Sequence, residues 1–414
     1  MSTKYHILQL LSILILVGYV SLPIAESRNV QILKKKTTIN YPAISCRKHT
    51  AALTEFGGVG DGKTLNTEAF QSAIANLSQY GSDGGAQLIV PPGKWLTESF
   101  NLTRHFTLFL QEGTVLLASQ QNFPDGRFAS VILGMNLADV VITGNNGTID
   151  GQGAPWWDKI KKGLLKATRP FLIELMYTNQ LQISNITLTN SPSWRVHPIY
   201  CSNVVIQGVT ILAPVEVPNI DGINPGLTCI SPHSATIALG SEMSGGIQDV
   251  RAEDITAIST ESAVRIKTAS GRGGYIKDIF VRRMTLKTMK YVFWITGAYK
   301  SHPDNGYDPN ALAVINNINY IDLVADNVSV TGSLDGYAKD PFTGICIYNA
   351  TITLSETAKN LQWNCADIQG VSNKVTPKPC DLLPQNATDC TFPDNKLPIE
   401  TVHLKTCSVK KIFL

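Results

Sequence analysis

The chain is 414 residues long, 43% apolar and 16% charged, enough apolar material for a large core and too little charge for a disordered or polyelectrolyte protein. Its formal charge of +3 falls only to +2 when residues 1–25, whose one formal charge is Lys4, are left out, too mild a balance to indicate a nucleic-acid partner. The 32 glycines and 21 prolines interrupt every apolar run, which excludes long coiled coils and disfavours helical bundles.

Residues 7–22 form an apolar run preceded by Lys4 and His6 and followed by Pro23, Ile24, Ala25 and Ser27, the pattern of an export signal over residues 1–25. The competing reading is an uncleaved signal anchor, because the stretch from Ile7 to Ala25 approaches the length of a membrane span. Next, Thr67–Tyr80 places Phe70, Ala73, Ile74 and Leu77 on one side, with Asn66 or Thr67 as N-cap, and is expected to be a helix.

The central signal is periodic. Leu181, Ile183, Ile186 and Leu188 recur at a constant step of 23 as Val204, Ile206, Val209 and Ile211. The spacing returns at Val250/Ala252/Ile255/Ala257, a further step of 46, or two laps. It returns again at Ile279/Val281/Met284/Leu286, Leu323/Ala325/Val328/Val330 and Ile345/Ile347/Ala350/Ile352. Asn and Gly between the groups, as in Ser184-Asn185 and Gln207-Gly208, suit left-handed corners. Short strands stacked at this period describe an all-β fold, a single-stranded right-handed parallel β-helix over residues 46–407 with an N-terminal capping helix. A sandwich or barrel also alternates strands and turns but does not explain the constant offset.

Eight cysteines are present, with Cys365, Cys380, Cys390 and Cys407 crowded in the tail, where disulfides would staple that end; their pairing is open. Their spacing matches no zinc site, and no metal or other cofactor is expected. Seven Asn-x-Ser/Thr sequons, at Asn76, Asn101, Asn146, Asn185, Asn327, Asn349 and Asn386, accord with export and with a glycoprotein.

Gly57-Gly58-Val59-Gly60-Asp61-Gly62, with Val90-Pro91-Pro92-Gly93-Lys94, resembles the opening of β-helical pectin-degrading enzymes. Asn219-Ile220-Asp221-Gly222, Ala238-Leu239-Gly240-Ser241-Glu242-Met243-Ser244-Gly245-Gly246 and Arg265-Ile266-Lys267 resemble glycoside hydrolase family 28, the polygalacturonases, nearest their plant branch. The resemblance implies a secreted, monomeric, cell-wall enzyme that hydrolyses α-1,4-galacturonan with inversion, its partner an acidic polysaccharide, with no nucleic acid and no stable membrane partner. Inversion needs an acid on one side of the bond and carboxylates ~6.5–9.5 Å away to activate water. By this resemblance Asp221 is a water-activating base, while Arg265 and Lys267 hold a galacturonate carboxylate through charge-assisted hydrogen bonds.

One departure dominates. The family's adjacent Asp-Asp pair is missing, since the chain contains no such dipeptide and Pro225-Gly226 runs straight into Leu227-Thr228-Cys229. The resemblance places about forty more residues there, close to two laps, and their removal is expected to leave an intact but shorter β-helix. The family's Gly-His-Gly is also absent, its histidine position falling on Ala235, with His233 two residues away. Counting by 23 aligns Asn219, Glu242 and Arg265 in one row and Asp221, Ser244 and Lys267 in another. Glu242 is then either a substitute acid or, more simply, an ion-pair partner of Arg265 and a neighbour of bound substrate with Asn219. Three functions compete: a hydrolase of pectic galacturonan with doubtful activity in this chain, a non-catalytic acidic-polysaccharide binder, and a calcium-dependent pectate lyase, for which no acidic cluster at one-lap spacing is found.

Overall fold

Alternating apolar residues and left-handed corners wind the chain into a coil whose strand ladders, among the described residues, are all parallel. The computed structural model describes residues 47–120, 130–165, 169–212, 222, 228–230, 235–241, 245–299, 307–356, 358, 363–386 and 389–393. Three faces run along it. Face 1 stacks 49–52, 86–90, 106–110, 140–144, 179–184 and 202–207, and resumes at 247–253, 275–282, 314–321, 342–348 and 368–373. Face 2 follows it around the lap, from 61–65 to 210–212, then 228–230 and 255–258 onward. Face 3 stacks Phe100–Asn101, Ile132–Met135, Ile173–Met176 and Val196–Ile199. A second stack on that face holds Ala235–Leu239, Ser262–Lys267, 291–296, 330–335 and Trp363–Ala366.

The interior is the expected set of aliphatic ladders. Leu181 and Ile183 pair with Val204 and Ile206, and Leu188 pairs with Ile211, each at the step of 23. Val250, Ala252, Ile255 and Ala257 pair with Ile279, Val281, Met284 and Leu286. The next expected group is corrected: these four pair with Ile318, Tyr320, Leu323 and Ala325, not with Leu323/Ala325/Val328/Val330. The slip has a simple cause. One left-handed residue separates strand pairs at successive corners, Asp322 and Asn327 here, so the same apolar spacing recurs within a lap as well as between laps.

Among the described residues 23 positions other than glycine have positive φ, and most are Asn or Asp, whose short polar side chains tolerate that conformation. All seven sequon asparagines are exposed.

Among the described residues the shortened region is spanned by one ladder. Thr210 pairs with Thr228 and Thr228 with Thr256, unequal steps of 18 and 28, so face 2 crosses the region through the three-residue strand Thr228–Ile230. The interval of 46 is two laps, as expected, but a short one and a long one. On face 1 the described 202–207 and 247–253 strands share no ladder, and on face 3 neither do Val196–Ile199 and Ala235–Leu239. The Gly222 N–H donates to Ala235 O at 3.1 Å, placing Gly222 beside face 3. The buried core accordingly falls into two blocks, one from Ala51 to Ile211 and the other from Ile237 to Leu383.

Both ends are covered. The Thr67–Ser78 helix buries Phe70, Ala73, Ile74 and Leu77 against the first laps, with Phe70 stacked on Phe100 at 4.4 Å. Asn66 occupies the N-cap position without capping. Its Oδ1 instead accepts the Val59 N–H, and its Nδ2 donates to Val59 O, Thr64 O and Leu96 O, so the side chain pins the preceding loop. Behind the cap a fully buried Arg47–Asp139 ion pair ties the first lap to the fourth, joined by His105 Nδ1 at 3.0 Å from Asp139. At the far end Cys365–Cys380 closes a local loop, while Cys346–Cys390 returns the tail onto face 1, where Phe392 lies under the Arg282 guanidinium at 3.7 Å. Cys407 and residues 1–25, the expected export signal, lie outside the described residues. No helix among the described residues is long and apolar enough to cross a membrane.

Candidate active site

Strand alternation decides what each lap offers outside. In Ser262–Lys267 on face 3, Val264 and Ile266 fill the core, so Arg265 and Lys267 must point outward. The Arg265 guanidinium lies 3.5 Å from the ring of Trp294, its ladder partner on the next lap, and 3.5 Å from Glu261. Stacked in this way, the cation keeps its edge available while the indole shields its face. The Lys267 ammonium sits 5.5 Å from the Tyr299 ring and 5.9 Å from the Trp194 ring, and the residue is only 5% exposed. That contact with Trp194 joins the two stacks of face 3. The structure therefore brings Arg265 and Lys267 together on one wall, each against an aromatic ring.

Asn219, Asp221, Glu242, Ser244 and His233 lie outside the described residues. The row drawn through Arg265 is corrected: its partner on the preceding lap is Ala238, a step of 27, so a constant step of 23 does not hold in the long lap that follows the short one. Arg265 is bridged by Glu261, four residues before it on its own lap.

Sequence reasoning missed a second group on the same face. Glu174 and His197 are ladder partners, and His197 Nδ1 lies 3.2 Å from the Glu174 carboxylate, which also accepts the Ser130 hydroxyl at 3.0 Å. Glu174 is 2% exposed, and a carboxylate so deep requires such partners. The histidine ring stands edge-on to Phe171 and Trp194, which stack on each other at 5.0 Å. The signal was available, because Glu174 and His197 are separated by the same step of 23 as the core ladder. Chemically the group is an oriented imidazole on a buried acid, its second nitrogen turned away from the carboxylate, beside the indole that contacts Lys267.

Elsewhere on the coil Trp156 is buried, whereas Trp157 lines a cavity of about 340 Å³ with Gln120, Asp150, Gln152 and Asn190. Asp150 there accepts the Asn190 amide at 3.1 Å and the Gln152 N–H at 2.8 Å. Among the described residues no three His, Cys, Asp or Glu side chains converge as metal ligands.

A parallel β-helix carrying cations, carboxylates and aromatic rings on one outer wall has the apparatus to hold a carbohydrate chain. The comparisons narrow this: the chain belongs to Glycosyl hydrolases family 28, whose model matches residues 82–237 and 225–376, and it is by family an enzyme, a glycosidase. It is 52% identical to a "Probable polygalacturonase" of Vitis vinifera over 98% of this chain and 95% of the relative. It is also 24% identical to "Polygalacturonase-2" of Solanum lycopersicum, over 78% and 79% of the two chains. Among solved structures, an exopolygalacturonase from Thermotoga maritima aligns with TM-score 0.60 and 22% identity over 77% of this chain and 92% of that one. A polygalacturonase from Erwinia carotovora aligns with TM-score 0.58 and 19% identity over 78% of this chain and 97% of that one. Both share the right-handed parallel β-helix. The two family matches overlap at 225–237, within the short lap, and the grape alignment runs over 470 positions, more than the 414 residues of this chain. The grape relative therefore carries residues that this chain lacks.

Proposed function

We propose that this chain is a pectin-directed member of its family that binds acidic galacturonan along face 3 and hydrolyses it slowly or not at all. The observation that carries the reading is the outward placement of Arg265 and Lys267 beside Trp294, Tyr299 and Trp194 in a chain 52% identical to a probable polygalacturonase. Arg265 and Lys267 supply the cations for a uronate carboxylate. Asp221 is the remaining water-activating base, and Asn219 and Glu242 line the sugar path. With no adjacent Asp pair, positioned proton donation to the leaving oxygen is lost, commonly worth ~10²–10⁴ in rate. The short lap between Thr210 and Thr228 favours a second reading in the same terms, a secreted non-catalytic binder of acidic polysaccharide. In both, residues 1–25 act as a cleaved export signal, residues 46–407 form one domain, and the product is a monomer outside the cell.

The test measures reducing ends released from polygalacturonate by this chain and by the grape relative, with gel retardation by polygalacturonate as the binding readout. The expected result is release at least ~10²-fold slower than the relative, with retardation that Lys267→Ala abolishes. Release as fast as the relative's overturns the catalytic reading, and retardation unaffected by Lys267→Ala overturns the binding one. Calcium-dependent formation of an unsaturated, ultraviolet-absorbing product would assign a lyase instead.

A further inference from the structure

Tyr177 and Tyr200 close the Ile173–Met176 and Val196–Ile199 strands of face 3, at the corner leading to face 1. Both have φ 52°, the left-handed region, and they are the only Tyr, Phe or Trp residues with positive φ among the described residues. A bulky side chain is disfavoured there, and such strain concentrates at functional positions. One lap earlier the equivalent corner is Asn136, a residue suited to the conformation. The tyrosines gain no core burial in exchange: they are 53% and 50% exposed, with rings stacked at 4.9 Å and 15°.

The strip continues past the short lap. A Cβ on Gly245 would lie 3.5 Å from the Tyr200 ring, and one on Gly246 would fall 2.3 Å from the ring of Tyr275, itself 37% exposed. The absence of a side chain at Gly246 lets the Tyr275 ring lie directly over the backbone, and Gly245 lies in contact distance of the Tyr200 ring. The Lys277 ammonium lies 4.8 Å from the Tyr275 ring and adds positive charge.

We infer that Tyr177, Tyr200 and Tyr275 form an aromatic rail for an acidic polysaccharide running along the coil axis, beside the wall that carries Arg265 and Lys267. Pyranose rings pack against the exposed tyrosines, Tyr177 and Tyr200 one lap apart and Tyr275 further along the axis beyond the short lap, and Lys277 selects a carboxylated chain. This rests on the galacturonan reading above and extends it to residues outside the Arg265–Lys267 wall.

The experiment compares the Kd for polygalacturonate, by retardation in gels of graded polysaccharide content, among the full chain, Tyr177→Asn/Tyr200→Asn and Lys267→Ala, with neutral galactan as a second polysaccharide. Asparagine suits left-handed corners, so a rail predicts opposite signs: binding weakens roughly 2- to 10-fold for each ring removed, while Tm stays the same or rises. An unchanged Kd in the double variant overturns the rail, as does weakened binding accompanied by a lower Tm, which marks a structural role. Equal retardation by galactan overturns the acidic ligand. If Lys267→Ala abolishes binding and the tyrosine variants do not, the rail alone fails; if neither weakens it, the galacturonan reading fails as well.

Discussion

Ile183 and Ile318 are matched probes of the two core blocks. Each is fully buried, with Ile142 and Ile206 flanking the first in its stack and Ile279 and Ile345 flanking the second. Truncating a buried isoleucine to alanine costs ~2–5 kcal/mol, and ~3 kcal/mol is a fair central value for a position with filled laps on both sides. In a linear stack, stability is a sum over laps and the interfaces between neighbours, so cooperativity is weakest at the thinnest interface. Here that is the three-residue strand Thr228–Ile230, the one described ladder across the shortened region, with the side-chain contact of Lys267 and Trp194 beside it on face 3. Residues 47–212 and 235–393 then melt as separate units of the size for which 1 kcal/mol moves Tm by ~2–4 °C. Ile183→Ala should lower one calorimetric transition by ~6–12 °C and leave the other in place, with Ile318→Ala doing the reverse. Hydrogen exchange should localise each loss to its own block. A single transition lowered equally by both substitutions would refute the reasoning.

Two further predictions concern other parts of the coil. Asp139→Asn leaves the buried Arg47 guanidinium without its carboxylate and should cost ~3–5 kcal/mol in urea unfolding, whereas adding Arg47→Met to Asp139→Asn, which keeps a residue suited to the left-handed φ of 56° at that corner, should recover part of that loss; equal costs for both would contradict the pairing argument. Burial pushes the Cys201 thiol above its ordinary pKa, so the reactive thiolate is scarce at about pH 8 in the folded chain and gains population only as pH climbs through the raised value. Peptide-resolved alkylation at that pH should therefore label Cys201 slowly in the native chain and quickly in urea, and prompt native labelling would disprove it.

The period was legible because one lap pairs aliphatic residues at a step of 23, as in Leu181–Val204 and Leu188–Ile211, and the apolar spacing within each lap repeats even where corner loops lengthen the step, as in Ile279–Ile318. Phase was lost where Tyr320 took an interior position that an aliphatic search skips. Arg265 and Lys267 were singled out by resemblance to a family motif, and strand alternation puts them on one outer wall. Glu174 and His197 were not singled out, since a pair of polar residues in separate strands becomes a site only once their outward direction is known. The row Asn219/Glu242/Arg265 failed for a different reason: it assumed equal laps, whereas corner loops vary in length from lap to lap, and Arg265 pairs with Ala238 at a step of 27.

The corner asparagines carry one more consequence. Asn146 and Asn185 sit at the same bend of successive laps, and the hydroxyl of Thr187, which completes the second acceptor triplet, is bonded to the Asn146 amide oxygen at 2.9 Å. Once coiled, that hydroxyl is engaged and the two amides are separated by about one strand spacing, ~4.8 Å. On the proposed export route, oligosaccharide transfer to this pair would belong to the nascent chain, and two branched sugars rooted so closely would collide, so a mature molecule is expected to carry a tree on one of them at most.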